Sequence, residues 1–130
     1  MQKNLQSHKL VRKYQNSSDQ DFLPTLRNVM SKHEIYAKRS LGQHFLLDTN
    51  LTDKIARIAN VKGSTVIEIG PGPGGLTRSL LMNGAKKVIA IEKDPRCLAA
   101  LLELQSFYSE SLIIVEADAM NIDLSQISSK

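Results

Sequence analysis

The densest chemistry in the sequence lies at Glu68-Ile69-Gly70-Pro71-Gly72-Pro73-Gly74-Gly75, which closes a short β-branched run. Two overlapping patterns fit there: GxGxxG on Gly70, Gly72 and Gly75, and ExGxGxG on Glu68, Gly70, Gly72 and Gly74. Glycines at this spacing let the backbone turn sharply and approach a ligand without Cβ interference, and the start of a following helix adds N–H donors and a partial positive charge. A nucleotide-like ligand suits that combination. The plainer alternative is a tight strand-to-helix turn with no ligand, and two further acids weigh against it. Glu92 falls 22 residues after Gly70, at the end of a second apolar run, where a carboxylate accepts hydrogen bonds from ribose hydroxyls. Asp118 falls just past a third run. Taken singly, Glu92 fits a solvated strand-end acid and Asp118 a helix cap. At successive strand ends they outline one crevice at the carboxyl edge of a sheet.

Two cofactor classes suit such a crevice. A dinucleotide brings a pyrophosphate to the helix N-terminus, whereas S-adenosylmethionine brings a sulfonium and an ammonium. Glu68, two residues before the first glycine, faces a pyrophosphate poorly and complements a cationic methionine moiety. The pattern therefore favours S-adenosylmethionine. An ion pair between Glu68 and a nearby Lys or Arg is the structural alternative.

Regular elements must deliver these groups. Thr65–Ile69 (TVIEI), Lys87–Ile91 (KVIAI) and Leu112–Val115 (LIIV) are predicted as buried strands. Leu76 to Asn83, closed by Gly84, predicts the first intervening helix; Asp94 to Phe107 predicts the second, with Asp94 as cap and Pro95 in the first helical position. This βαβαβ order predicts a parallel sheet with right-handed crossovers, covered on both faces. Upstream, Leu51, Ile55, Ile58 and Ala59 predict one face of a helix capped by Asp48 or Asn50, with Gly63 after its end. Leu23, Leu26, Val29 and Met30 predict a shorter amphipathic helix over 23–33, with Pro24 near its first turn. The polar residues 1–20 are predicted as a mobile tail ahead of a domain over 21–130. The expected fold class is α/β and Rossmann-like, as suits a domain that binds S-adenosylmethionine. Three strands make half of a doubly wound sheet, so these residues are expected to be the front of a longer protein.

Composition narrows the class further. A chain of 130 residues suits one core. No apolar run approaches the ~18–20 residues of a bilayer span. The single Cys97 excludes an intramolecular disulfide, and His8, His33 and His44 have no cysteine partners at zinc-ligand spacing. The chain reads as cytoplasmic and metal-free. Residues 1–39 carry eight Lys/Arg against three Asp/Glu, a balance of +5, while the other 91 residues carry nine against ten. Basicity therefore belongs to the N-terminal arm, which suits a polyanion such as nucleic acid or simply a solvated tail. An acid-poor start also fits a mitochondrial presequence, which ranks below a plain tail.

The runs KRSLGQHFLLD (38–48), VIEIGPGPGGLT (66–77), VIAIEKD (88–94) and EADAM (116–120) together resemble the ribosomal RNA adenine N6-dimethyltransferases of small-subunit maturation. The methyltransferase loop is common to many enzymes, whereas LGQHFL joined to EIGPGPGGLT is specific. The resemblance implies S-adenosylmethionine contacts from His44 and Leu46, from the loop at Gly70, from Glu92 to the ribose and from Asp118 to the adenine amine. Gly72 and Ala119 are candidates beside them. Lys38 and Arg39 are candidates for RNA phosphate. His44 stands where the family usually has Asn, which keeps a hydrogen-bonding side chain but allows titration. Phe45 and Leu47 read as packing residues.

The resemblance also implies the substrate: two adjacent adenosines in a hairpin near the 3′ end of small-subunit rRNA, each receiving two methyls at N6. The partner is then the immature small ribosomal subunit, and the enzyme is expected to act as a monomer. The family's Asn-Leu-Pro-Tyr segment, which holds the target amine, does not occur here, so no catalytic residue is assigned and the 130 residues alone are expected to be inactive. Rival readings are a resistance methylase acting on large-subunit RNA, a shortened RNA-binding or assembly protein without catalysis, and an NAD-binding domain.

Overall fold

The computed structural model describes residues 23–36 and 47–127. Its centre is a three-stranded parallel sheet of β1 (Thr65–Ile69), β2 (Lys87–Glu92) and β3 (Leu112–Glu116), in the order β1-β2-β3. All three strands fall where the apolar runs predict them. Two gain a residue, which draws Glu92 and Glu116 into register with one another. Glu68 stands opposite Ala90, and Ile69 opposite Ile91.

Helices α3 (Gly75–Met82) and α4 (Pro95–Phe107) form the crossovers. Asp94 caps α4 by accepting from Arg96 N at 2.9 Å, with Pro95 at the helix start where its missing N–H costs nothing. Both faces of the sheet are covered, as expected, but by different elements. Leu80 and Leu81 of α3 and Leu104 of α4 pack with Val88, Ala90 and Leu112 on one face. The opposite face, with Ile89 and Ile91, is met by Ile122 and Ile127 from the chain after β3. The reason is the winding: two successive right-handed crossovers that step in one direction put both helices on one side. Ile89, Ile91, Leu101, Leu104 and Leu112 are all under 2% exposed. Burying a side chain of this size stabilises by roughly 1.5–3 kcal/mol, so this layer outweighs any single polar contact in the fold.

The helix α2 (Thr49–Ile58) starts as expected, with Asp48 accepting from Asn50 N and Leu51 N. Its buried face is not the expected one. Thr52 and Ala56 are fully buried, whereas Ile55 and Ile58 are 41% and 75% exposed. Small side chains let α2 approach α3 closely, and the Thr52 and Ser79 hydroxyls share a buried hydrogen bond of 2.7 Å. That contact selects the helix face, and the larger apolar stripe points away from the described residues.

The first helix, α1 (Leu26–Lys32), is shorter than the expected 23–33. Thr25 is its cap, accepting from Asn28 N at 3.2 Å, so Pro24 lies just ahead of the first turn. Leu26, Val29 and Met30 are buried. The Pro24 carbonyl accepts from Arg78 Nη1 at 2.6 Å, Lys32 pairs with Glu103, and the Glu34 carbonyl accepts from Arg96 Nη1 at 3.3 Å. This helix is thereby fastened to both crossover helices. No helix among the described residues is long and apolar enough to cross a membrane.

Candidate functional site

The carboxyl ends of the three strands form one continuous edge. Gly70 N donates to Ile91 O at 3.0 Å, so pairing runs one residue past β1 before the chain turns. Gly70, Gly72 and Gly74 then take φ of +64°, +58° and +98°, a region that L side chains avoid. Gly75 has no positive φ and opens α3, so the backbone follows the ExGxGxG pattern and not GxGxxG. Gly70 and Gly72 have open space where a Cβ would stand, which leaves their backbone free for close approach by a ligand. Gly74 serves packing instead: a Cβ there would lie 3.3 Å from Leu101 and Leu104 methyl carbons.

Glu92 joins this loop to the second strand. Its Oε2 accepts from Gly72 N at 3.0 Å, while Oε1 accepts from Lys93 N at 3.0 Å and Asp94 N at 3.1 Å. The Glu92 carbonyl accepts from Ala117 N at 3.0 Å, which brings the residues after β3 alongside. Asp118 accepts from Met120 N at 3.0 Å and so caps the 3-10 turn Ala119–Asn121; its other oxygen lies 3.6 Å from Lys93 Nζ. Ala119 packs toward the Ile89 and Ile91 side of the sheet.

Glu68 is buried one residue before β1 ends, and its partner is neither Lys nor Arg. Thr77 Oγ1, in the first turn of α3, donates to Glu68 Oε1 at 2.5 Å. Burial raises the Glu68 carboxyl, the Thr77 hydrogen bond pulls it down and the neighbouring charge of Glu92 raises it, which leaves it at about 7. The edge therefore holds an acid poised near neutrality beside an open glycine loop. Cys97 offers no nucleophile there: it is buried, and desolvation with the charges of Asp94 and Glu92 pushes its thiol up to about 11. Among the described residues, no group of three His, Cys, Asp or Glu side chains is placed to hold a metal.

Of the residues singled out from sequence, Glu68, Gly70, Gly72, Glu92, Asp118 and Ala119 all lie along this edge. His44 and Leu46, with the phosphate candidates Lys38 and Arg39, lie outside the described residues. Thr77 escapes sequence reading, although a hydroxyl in the first turn after a glycine loop is a usable signal for a partner to the strand-end acid. So does the fastening of α1, which depends on arginines distant in sequence.

A three-strand parallel sheet with a glycine loop at its carboxyl edge is a Rossmann-like arrangement, and likeness to solved structures makes its class that of the methyltransferases. The 23S rRNA methyltransferase ErmE is 35% identical, with a TM-score of 0.53 over 61% of this chain and 32% of its own. A dimethyladenosine transferase from Plasmodium falciparum is 36% identical, with a TM-score of 0.51 over 58% of this chain and 28% of its own. Residues 35–130 match the family of ribosomal RNA adenine dimethylases, and the chain belongs to that family. The ribosomal RNA small subunit methyltransferase A of Sinorhizobium medicae is 60% identical over 104 residues, which are 79% of this chain. This chain spans only 38% of that relative's length.

Proposed function

We propose that this chain supplies the cofactor-binding part of an S-adenosylmethionine-dependent enzyme that dimethylates N6 of two adjacent adenosines near the 3′ end of small-subunit rRNA. The observation that carries the reading is the convergence of three strand ends through Glu92, with the buried acid Glu68 beneath the glycine loop. The residues suit the cofactor. Bare backbone at Gly70 and Gly72 admits close approach, and a carboxyl that ionises near neutrality favours a cation over a pyrophosphate.

In this reading Glu92 holds the ribose and Asp118 the adenine amine. Glu68 lies beside the cationic methionine moiety, and Ala119 contributes backbone next to Asp118. His44 and Leu46 close the site from the GQHFL segment, and Lys38 and Arg39 hold RNA phosphate. The bound cofactor supplies an electrophilic methyl on a positively charged sulfur. The chain's own groups fix its position and complement its charge, and no general base is required of them. The working partner is the immature small ribosomal subunit in the cytoplasm, met by a monomer. Likeness to the small-subunit enzyme at 60% identity, against 35% for the 23S enzyme, favours the small-subunit substrate.

The test is methyl transfer from labelled S-adenosylmethionine to undermodified small-subunit rRNA by the intact protein, with large-subunit rRNA as the competing substrate. Dimethyladenosine in the small-subunit hairpin is the expected product. Label in large-subunit RNA alone would reassign the substrate, and label in neither would end the enzymatic reading. The 130 residues alone are expected to give no turnover, because the amine-holding segment is not among them. Glu92→Ala is expected to weaken S-adenosylmethionine binding by roughly 1–3 kcal/mol, the cost of leaving buried polar groups unpaired. Unchanged affinity by calorimetry would remove Glu92 from the site.

A further inference from the structure

Glu92 is already engaged by backbone donors of its own chain. A carboxylate offers about four lone-pair sites, and three backbone N–H groups occupy three of those on Glu92. About one site remains, on Oε2. The vicinal diol of a ribose brings two O–H donors, so gripping both requires one backbone donor to let go. The Lys93 and Asp94 donors belong to the turn that Glu92 itself begins, one and two residues on. The Gly72 donor is 20 residues away, on a glycine loop with open space on its Cβ side. It is the donor that has room to move.

We infer that Glu92 is a latch on the glycine loop, closed on the Gly72 N–H in the free protein and released when a ribose diol takes its place. Glu92 thus acts as a positioning residue for the loop as well as a contact for the sugar. The ligand half rests on the adenosyl site proposed above, while the latch in the free protein does not. Coupling of this kind makes the loop answer to the sugar: a nucleoside with both hydroxyls opens it, and one without them leaves it shut.

The experiment follows the Gly72 amide by NMR in the 15N-labelled chain. In Glu92→Gln the amide carbonyl retains the two turn donors and the NH2 group faces Gly72 N–H, which it cannot accept. Gly72 is expected to lose hydrogen-exchange protection about tenfold, as on losing one charge-assisted bond, with Lys93 and Asp94 unchanged. Equal protection of Gly72 in both proteins would overturn the latch. A second arm needs no variant. Adenosine is expected to shift the Gly72 amide proton upfield and speed its exchange, and 2′,3′-dideoxyadenosine to leave both unchanged. Saturation by adenosine with an unmoved Gly72 signal, or the same response to both nucleosides, would overturn the release. Failure of adenosine and S-adenosylhomocysteine to bind at all would overturn the release together with the cofactor reading, with the free-protein latch decided by the first arm.

Discussion

Glu68→Gln is expected to stabilise the protein by about 3 kcal/mol at pH 8 and, at the same pH, to weaken its grip on S-adenosylmethionine. The stability effect follows from burial, which raises the Glu68 carboxyl from 4.5 to about 7. An acid whose pKa is higher folded than unfolded holds its proton more firmly in the native state. Its contribution to stability is complete below pH 4.5 and is lost as pH rises through about 7. At 1.36 kcal/mol per pH unit, the loss across that window is about 3 kcal/mol. Glutamine keeps the acceptor for Thr77 and cannot ionise, so the variant's stability should stay flat where the parent's falls. Urea denaturation at pH 4, 6 and 8 measures the difference, and parallel curves would mean that Glu68 titrates alike in the folded and the unfolded chain. Calorimetry with S-adenosylmethionine reads the other half, because a neutral amide no longer complements the cation. Gained stability with lost affinity is the signature of a strained functional acid.

Gly74→Ala is expected to destabilise the fold by about 2–5 kcal/mol. Two costs add. A Cβ at φ +98° sits where L residues pay roughly 1–2 kcal/mol, and the same atom 3.3 Å from Leu101 and Leu104 forces core rearrangement worth about 1–3 kcal/mol. The urea midpoint should fall with an unchanged slope. Alanine at Gly72 meets nothing within 4 Å and carries only the backbone cost. A Gly74 variant as stable as the parent would show that the loop takes another path into α3.

Strands and crossover helices were legible because each signal is local. TVIEI, KVIAI and LIIV are short β-branched runs bounded by turn residues, and Asp94-Pro95 announces a helix start. The site edge followed from the strand ends, since parallel order forces Glu68, Glu92 and Asp118 to one side of the sheet. Contacts between elements were not legible. Hydropathy chose Leu51, Ile55, Ile58 and Ala59 as the packed face of α2, whereas the fold buries Thr52 and Ala56, because a hydroxyl pair and small side chains decide how close two helices come. A buried Thr in an amphipathic helix carries no period that a sequence pattern detects. The partner of Glu68 was missed for a related reason: charge reasoning seeks a cation, and a hydroxyl one turn into α3 serves in its place.

The winding of the sheet sets how this part of the chain is made. β2 and β3 each pair with their immediate predecessor in sequence, and each crossover helix packs on the strand that follows it. Contacts of short sequence span close early and quickly. The Gly72–Glu92 bond that ties the glycine loop to the second strand itself spans only 20 residues, so this edge of the sheet needs no distant part of the chain in order to form.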